Sequence, residues 1–209
     1  MSKMIAIGAA AAVVGVLGAT FLVPYLRNSD GDPFAACRAS VIAGGPGNIG
    51  GPFELVNSKG ETVTDKDVLT KPSLVYFGYT SCPDVCPLDA ARNAEALDLL
   101  TEAGTVAQTI FISIDPARDT PDVVGEYVSY IHEEMIGLTG SLEQVTAASK
   151  SYKTYFRLHE PEEGEEFYLV DHSTQTYLVL PEHGFVEFFK RADTAEEMAK
   201  RSTCFIDNA

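Results

Sequence analysis

One passage near the middle of the chain limits the fold more than any other. Ser73-Leu74-Val75-Tyr76-Phe77-Gly78-Tyr79 is an almost unbroken apolar and aromatic run, and it leads straight into Cys82-Pro83-Asp84-Val85-Cys86-Pro87. Such a run reads as a strand covered on both faces, which requires a sheet wide enough to flank it and helices to cover it. The stretch from Pro87 to Glu102 then places Leu88, Ala91, Ala94, Leu97 and Leu100 at three- and four-residue steps. That spacing predicts a helix with one stripe turned inward, stopping at Gly104.

The rest of the chain repeats this alternation. Phe53 to Val56 and the turn residues Asn57 to Gly60 predict an opening hairpin, and Ala107 to Ile114 a second buried strand. Thr120 stands ready to cap a helix with Pro121 in its first position and Val123, Val124, Tyr127, Val128 and Ile131 as its stripe. Ser141 with Gln144, and Thr194 with Glu197, read as capping boxes for two more helices. Between them, Thr174 to Leu180 and Phe185 to Lys190 read as strands of a hairpin turned by Pro181-Glu182-His183-Gly184. The order implies an α/β domain with a central mixed sheet flanked by helices, a thioredoxin-like arrangement. In open sheets of this kind sites form beyond the carboxyl ends of strands, where the Cys82 loop lies.

The chain has 209 residues, 45% of them hydrophobic, enough for one ordinary core. Its net charge of −15 excludes a nucleic-acid partner, because phosphate binding needs clustered Lys and Arg. Residues 4–26 contain no charge. As a helix they would reach ~34 Å, enough to cross a bilayer. A secretory signal peptide is the competing reading, but its apolar core is usually only about 7–15 residues long. The organisation expected is a membrane anchor at 1–27, a Gly- and Pro-rich tether and entry loop at 28–51, and the folded domain at 52–209. Glu160 to Glu166, with five carboxylates, reads as a solvated loop.

The four cysteines are Cys37, Cys82, Cys86 and Cys204. If the close pair is the working pair, Cys37 and Cys204 are left to bond with each other and tie down both ends of the domain. Such a disulfide fits an oxidising compartment outside the cytoplasm. The alternative is two unpaired buried thiols.

Cys82 and Cys86 sit four positions apart at a helix start, where unsatisfied N–H groups and the dipole favour thiolate over thiol. The pair suits disulfide exchange or a soft metal. Structural zinc wants four protein ligands, and no second Cys or His pair stands at suitable spacing. Two thiolates select Cu(I), and an added imidazole extends the site to Cu(II). His132, His159 and His183 read as surface histidines. His172, in Val170-Asp171-His172-Ser173 just ahead of an apolar strand, lies at the edge of the sheet that faces the cysteine loop. It reads either as a third ligand or as a capped loop histidine.

Four ordered stretches resemble the Sco/SenC family. They are Phe77-Gly78-Tyr79-Thr80-Ser81-Cys82-Pro83-Asp84-Val85-Cys86-Pro87, Ser113-Ile114-Asp115-Pro116-Ala117-Arg118-Asp119-Thr120-Pro121, Gly137-Leu138-Thr139-Gly140 and Val170-Asp171-His172-Ser173. The resemblance covers roughly Gly51 to Lys200. It implies a thioredoxin-like fold on a single membrane helix, copper ligation by Cys82, Cys86 and His172, and service to the CuA centre of cytochrome c oxidase subunit II. The partners implied are that subunit and an upstream copper donor. The location implied is the bacterial inner membrane with the domain facing the periplasm, or the mitochondrial inner membrane facing the intermembrane space. Asp84, Asp115, Arg118 and Asp171 are then expected to orient the ligands or their loops. Alternative roles for the same residues are a thiol-disulfide reductase in which Cys82 and Cys86 are the redox-active pair, or a redox or copper sensor. Cys37 and Cys204 lie outside the resembling region.

Overall fold

The computed structural model describes residues 32–38, 46–159 and 167–209. The apolar segment 4–26, residues 28–31 and 39–45 of the tether, and the acidic stretch 160–166 lie outside the described residues. Among the described residues no helix is long and apolar enough to cross a membrane. The chain divides after Ala36 into two units, and the second, Cys37–Ala209, carries the sheet.

Among the described residues, nine strands and five helices follow a short 3₁₀ turn at Pro46–Asn48. The hairpin β1 (Glu54–Asn57) and β2 (Thr62–Thr64) leads through α1 (Asp65–Val68) to β3 (Ser73–Gly78) and α2 (Val85–Glu102). Next come β4 (Gln108–Ser113), α3 (Pro121–Ile131), β5 (Ile136–Thr139) and α4 (Leu142–Ser151). A small hairpin, β6 (Phe156–Leu158) and β7 (Val170–His172), precedes β8 (Thr176–Leu180), β9 (Gly184–Phe189) and α5 (Ala195–Asp207). The main sheet runs β2-β1-β5-β4-β3-β8-β9, while β6 and β7 form a separate two-stranded sheet. Strand β3 is parallel to β4 and antiparallel to β8, so the sheet is mixed. All six residues of β3 and all six of β4 are buried, which is why their sequences carry no polar alternation.

Both capping boxes are in place: Ser141 Oγ accepts from the N–H of Gln144, and Thr194 Oγ1 from that of Glu197. Thr120 caps α3 without a side-chain bond, and Pro121 opens it. The inward face of α2 differs from the expected stripe. Leu88 is 60% exposed and Ala91 is exposed, whereas Cys86, Asp89, Ala90, Asn93, Ala94, Leu97 and Leu100 are buried. Cys86 sets the phase of the helix, and the buried face then includes two polar residues that have partners beneath them. Tyr76 donates to Asp89 at 3.0 Å and Thr176 donates to Asn93 at 2.9 Å. A hydrophobic count alone cannot find polar residues that are buried because they are paired. In α3, Val123 likewise points outward, leaving Val124 and Val128 to face the core.

Strand β5 was hidden in the sequence by its shortness and by Gly137. A Cβ at that position would meet Val124 Cγ1 at 2.7 Å, so the glycine is what lets α3 lie close over the strand.

Cys37 and Cys204 form a disulfide with Cα atoms 5.7 Å apart and 167 positions apart in sequence. It fastens the start of the unit to α5, where Arg38 donates to the carbonyl of Val186 and lies over the Phe205 ring at 5.7 Å. A loop this long corresponds to about 5 kcal/mol in the chain-entropy account. Replacing both cysteines by serine is expected to lower the thermal midpoint by roughly 10 °C, read by calorimetry against the parent chain.

Candidate metal centre

Strand β3 ends at Gly78, and the next six residues carry the chain over the end of the sheet to α2. Two anchors fix that passage. Asp119, fully buried, accepts from the Thr80 N–H at 2.9 Å, the Thr80 hydroxyl at 2.6 Å and the Ser113 hydroxyl at 2.5 Å. Its backbone carbonyl accepts from Thr139 Oγ1 at 2.7 Å, which ties the β4 and β5 ends to the same loop. Burial holds the Asp119 carboxyl above its usual range, against the hydrogen bonds from Ser113 and Thr80 that favour its charge. The second anchor is the start of α2, where the Cys86 N–H donates to Cys82 Sγ at 3.4 Å.

The third donor arrives from β7. His172 Nε2 lies 3.3 Å from Cys86 Sγ, and the sulfurs of Cys82 and Cys86 with a nitrogen of His172 all fall within 4.8 Å of one another. Among the described residues this is the one such cluster of potential metal ligands. His172 Nδ1 is 2.8 Å from the Ser173 carbonyl, so it carries the proton and leaves the Nε2 lone pair turned toward the sulfurs. The rings of Tyr76 and Tyr79 meet the imidazole edge-on, at 6.3 and 5.8 Å between centroids. Burial lowers the His172 pKa and keeps the ring neutral, the form in which it can donate to a metal.

The two thiols are unequal. Burial works against the Cys82 thiolate, but hydrogen bonds from the Asp84 N–H, the Cys86 thiol, the Cys86 N–H and the Tyr79 hydroxyl outweigh it, and its pKa falls below the ordinary thiol value. Cys86 is fully buried, and burial together with its bond to the Cys82 sulfur pushes its pKa far up. In reduced protein near neutral pH, iodoacetamide should therefore modify Cys82 at least about tenfold faster than Cys86, as read by peptide mass spectrometry over time. Equal rates would show that the asymmetry is absent.

A clasp joins the cysteine loop to the histidine strand. Arg118 stacks on the Tyr168 ring at 3.7 Å, donates to the Tyr168 carbonyl at 3.0 Å and pairs with Asp115. Tyr168 donates to Asp115 at 2.6 Å, and the Val170 N–H reaches Tyr79 Oη at 3.4 Å. Asp115 and Arg118 thus act on the position of β7 through Tyr168 rather than by touching the donors. Asp84 is exposed and contributes its backbone N–H. Asp171 points away from the site, where it meets His159 Nε2 at 2.8 Å and Arg157 at 3.9 Å, because alternate residues of β7 face opposite sides. His132 pairs with Asp98 at 3.1 Å on the surface. Reading the residues one by one missed Asp119, Tyr76, Tyr79 and Tyr168. Asp119 lies inside the quoted stretch Ser113–Pro121, but a buried acid there signals itself only once three donors are seen to converge on it.

Two buried thiols and a half-buried imidazole can hold a soft metal ion, and with the metal absent the same thiols can exchange with a disulfide. The SCO1/SenC family model matches residues 43–207. Protein SenC of Rhodobacter capsulatus is 51% identical over 209 residues, which is 99% of this chain and 91% of that protein. The mitochondrial SCO1 homolog 1 of Arabidopsis thaliana is 44% identical over 69% of this chain, which spans only 43% of that longer protein. Among solved structures, copper-bound Arabidopsis thaliana ScoI superposes with a TM-score of 0.70 at 38% identity, covering 76% of this chain and 99% of that one. Copper-bound yeast Sco1 gives 0.73 at 36%, covering 78% and 90%. With a matching stretch that takes in all three donors and most of the fold, the chain belongs to the SCO1/SenC family.

Proposed function

We propose that this protein is a copper metallochaperone in which Cys82, Cys86 and His172 take up copper and deliver it to, or prepare, the CuA centre of cytochrome c oxidase subunit II. The observation that carries the reading is the meeting of two soft sulfurs and one correctly protonated imidazole within a few ångströms, with no carboxylate among them. Copper is cargo here. The thiolates favour Cu(I), and the imidazole extends the range to Cu(II). Both thiols must give up their protons on uptake, which Cys82 does readily and Cys86 only against its burial. Cys82, the less deeply buried of the two thiols, is then the donor from which an acceptor's thiolate begins ligand exchange. The acceptor and an upstream donor would meet the protein outside the cytoplasm. There the apolar 4–26 segment would hold it as a single-pass anchor in a bacterial inner membrane, or in the mitochondrial inner membrane.

A second reading is favoured by one observation, the pairing of a low-pKa Cys82, 8% exposed, with a Cys86 that is wholly buried and has a raised pKa. That is the layout of a dithiol reductant, in which the outer thiolate attacks a disulfide and the inner thiol resolves the mixed intermediate. His172→Ala separates the two. Titration of the reduced chain with copper against a chromophoric chelator should show the variant losing copper at least about tenfold more readily than the parent, with thiol-disulfide exchange on an oxidised subunit II fragment largely kept. Undiminished copper retention in that variant would overturn the three-donor site.

A further inference from the structure

A cleft of about 440 Å³ lies between α4 and β6, away from the thiols. Leu142 and Lys150 line it from the helix, and Phe156, Arg157 and Leu158 from the strand. A second hollow of about 260 Å³ shares Leu142 and Leu158 with it and extends to Pro116 and Ala117. Among the described residues β6 has β7 as its only ladder neighbour. The Tyr155 carbonyl accepts from the Ser173 N–H at 2.9 Å, and the His159 N–H donates to the Leu169 carbonyl at 3.1 Å. Odd-numbered residues of β6 thus direct their backbone groups at β7. By the alternation of an antiparallel ladder, those of Phe156 and Leu158 face the other way, along an open strand edge.

The charge of the cleft is opposite to that of the protein. Acids outnumber bases by 30 to 15 in the chain, yet among the described residues that line the cleft the charged ones are Lys150 and Arg157. Arg157 has one acidic neighbour, Asp171, at 3.9 Å, and is itself 62% exposed. Leu142 is 51% and Tyr155 55% exposed, so the cleft offers apolar surface as well.

We propose that this cleft is a peptide-docking groove: an extended, acidic and apolar segment of a partner protein adds to β6 as the third strand of the β6–β7 sheet. Main-chain hydrogen bonds to Phe156 and Leu158 supply affinity, apolar side chains settle against Leu142 and Leu158, and carboxylates reach Lys150 and Arg157. Phe156 lies opposite His172 in the ladder, so an added strand stiffens the hairpin that presents the histidine. This last consequence rests on the metal reading; the groove itself does not.

The test uses the full-length chain in detergent and three fluorescein-labelled hexapeptides. One alternates valine and glutamate, the second replaces glutamate with lysine, and the third is the glutamate peptide N-methylated at alternate residues. Fluorescence anisotropy should show the glutamate peptide binding, with the other two at least about tenfold weaker. In the Lys150→Glu/Arg157→Glu variant, whose changes fall on exposed side chains, the preference should pass to the lysine peptide. Equal binding of the N-methylated peptide, an unchanged preference in the variant, or no binding at millimolar peptide would each overturn the groove. Copper retention is measured in parallel. If peptide binds and retention does not change, the coupling to His172 is wrong and the groove stands. If the chain holds no copper at all, the metal reading fails and the peptide result is unaffected.

Discussion

Cys86→Ser should leave the reduced protein unable to retain copper against a chelator that the parent chain resists, with affinity lowered at least about a hundredfold. Groups that merely stand behind a metal ligand cost 10–100-fold when removed, and Cys86 is itself the donor on which the others converge. Its sulfur lies 3.3 Å from His172 Nε2 and accounts for part of the depressed pKa of Cys82, so one change weakens all three donors. A serine hydroxyl is a hard donor that keeps its proton at neutral pH and offers little to Cu(I). The fold should tolerate the change, since the buried hydroxyl has Tyr76 Oη and the Cys82 sulfur as neighbours able to hydrogen-bond. The measurement is copper stoichiometry after chelator challenge, with a thermal melt as the control. Copper retained at the parent level would sink the assignment of Cys86.

Asp119→Ala should be the most damaging single change outside the donor set, costing about 3–5 kcal/mol and loosening the cysteine loop. It would leave the Thr80 N–H and the hydroxyls of Thr80 and Ser113 without their acceptor, the last of them fully buried. Asp119→Asn should cost less. One oxygen still accepts from the Thr80 N–H, and the Thr80 hydroxyl can rotate to accept from the new amide. The pH dependence separates the variants further. Because the folded carboxyl titrates above its unfolded value, its favourable contribution is complete below the unfolded pKa and is lost as pH rises through the folded one. Asn has no such titration. The stability gap between parent and Asp119→Asn should therefore shift against the parent as pH climbs from the acid range through the folded pKa, as read by denaturant unfolding at each pH. Asp67 and Glu196 have lowered pKa values and slope the other way in both proteins, so they cancel in the difference.

Much of this architecture can be read directly from residue order, and the parts that cannot share a cause. The long buried strands β3 and β4 announce themselves because a strand covered on both faces must be apolar throughout, and α4 and α5 because their caps are spelled out. Strands β6 and β7 are three residues each and carry Arg157 and Asp171 on an exposed face, so no period-two signal rises above the loop around them. His172 was consequently read as a loop residue, when it is held in register opposite Phe156. The proposed donors, which the fold brings within 4.8 Å of one another, stand out in the sequence because Cys and His are chemically conspicuous. Their supports do not. Asp119, Tyr79 and Tyr168 act through contacts across 39 to 91 positions of sequence, and separations of that size become proximity only after the sheet has formed.

The sulfur link between residues 37 and 204 also fixes how the molecule would carry tension. A pull applied between the two ends of the polypeptide enters at Cys37, crosses at once to Cys204 and leaves through the last five residues. The stretch enclosed by the bond, with its sheet and the pole bearing both thiols and the imidazole, lies off the load path. In an optical trap the oxidised protein should keep the enclosed chain folded under load, and severing that bond should release it in a separate, much longer step.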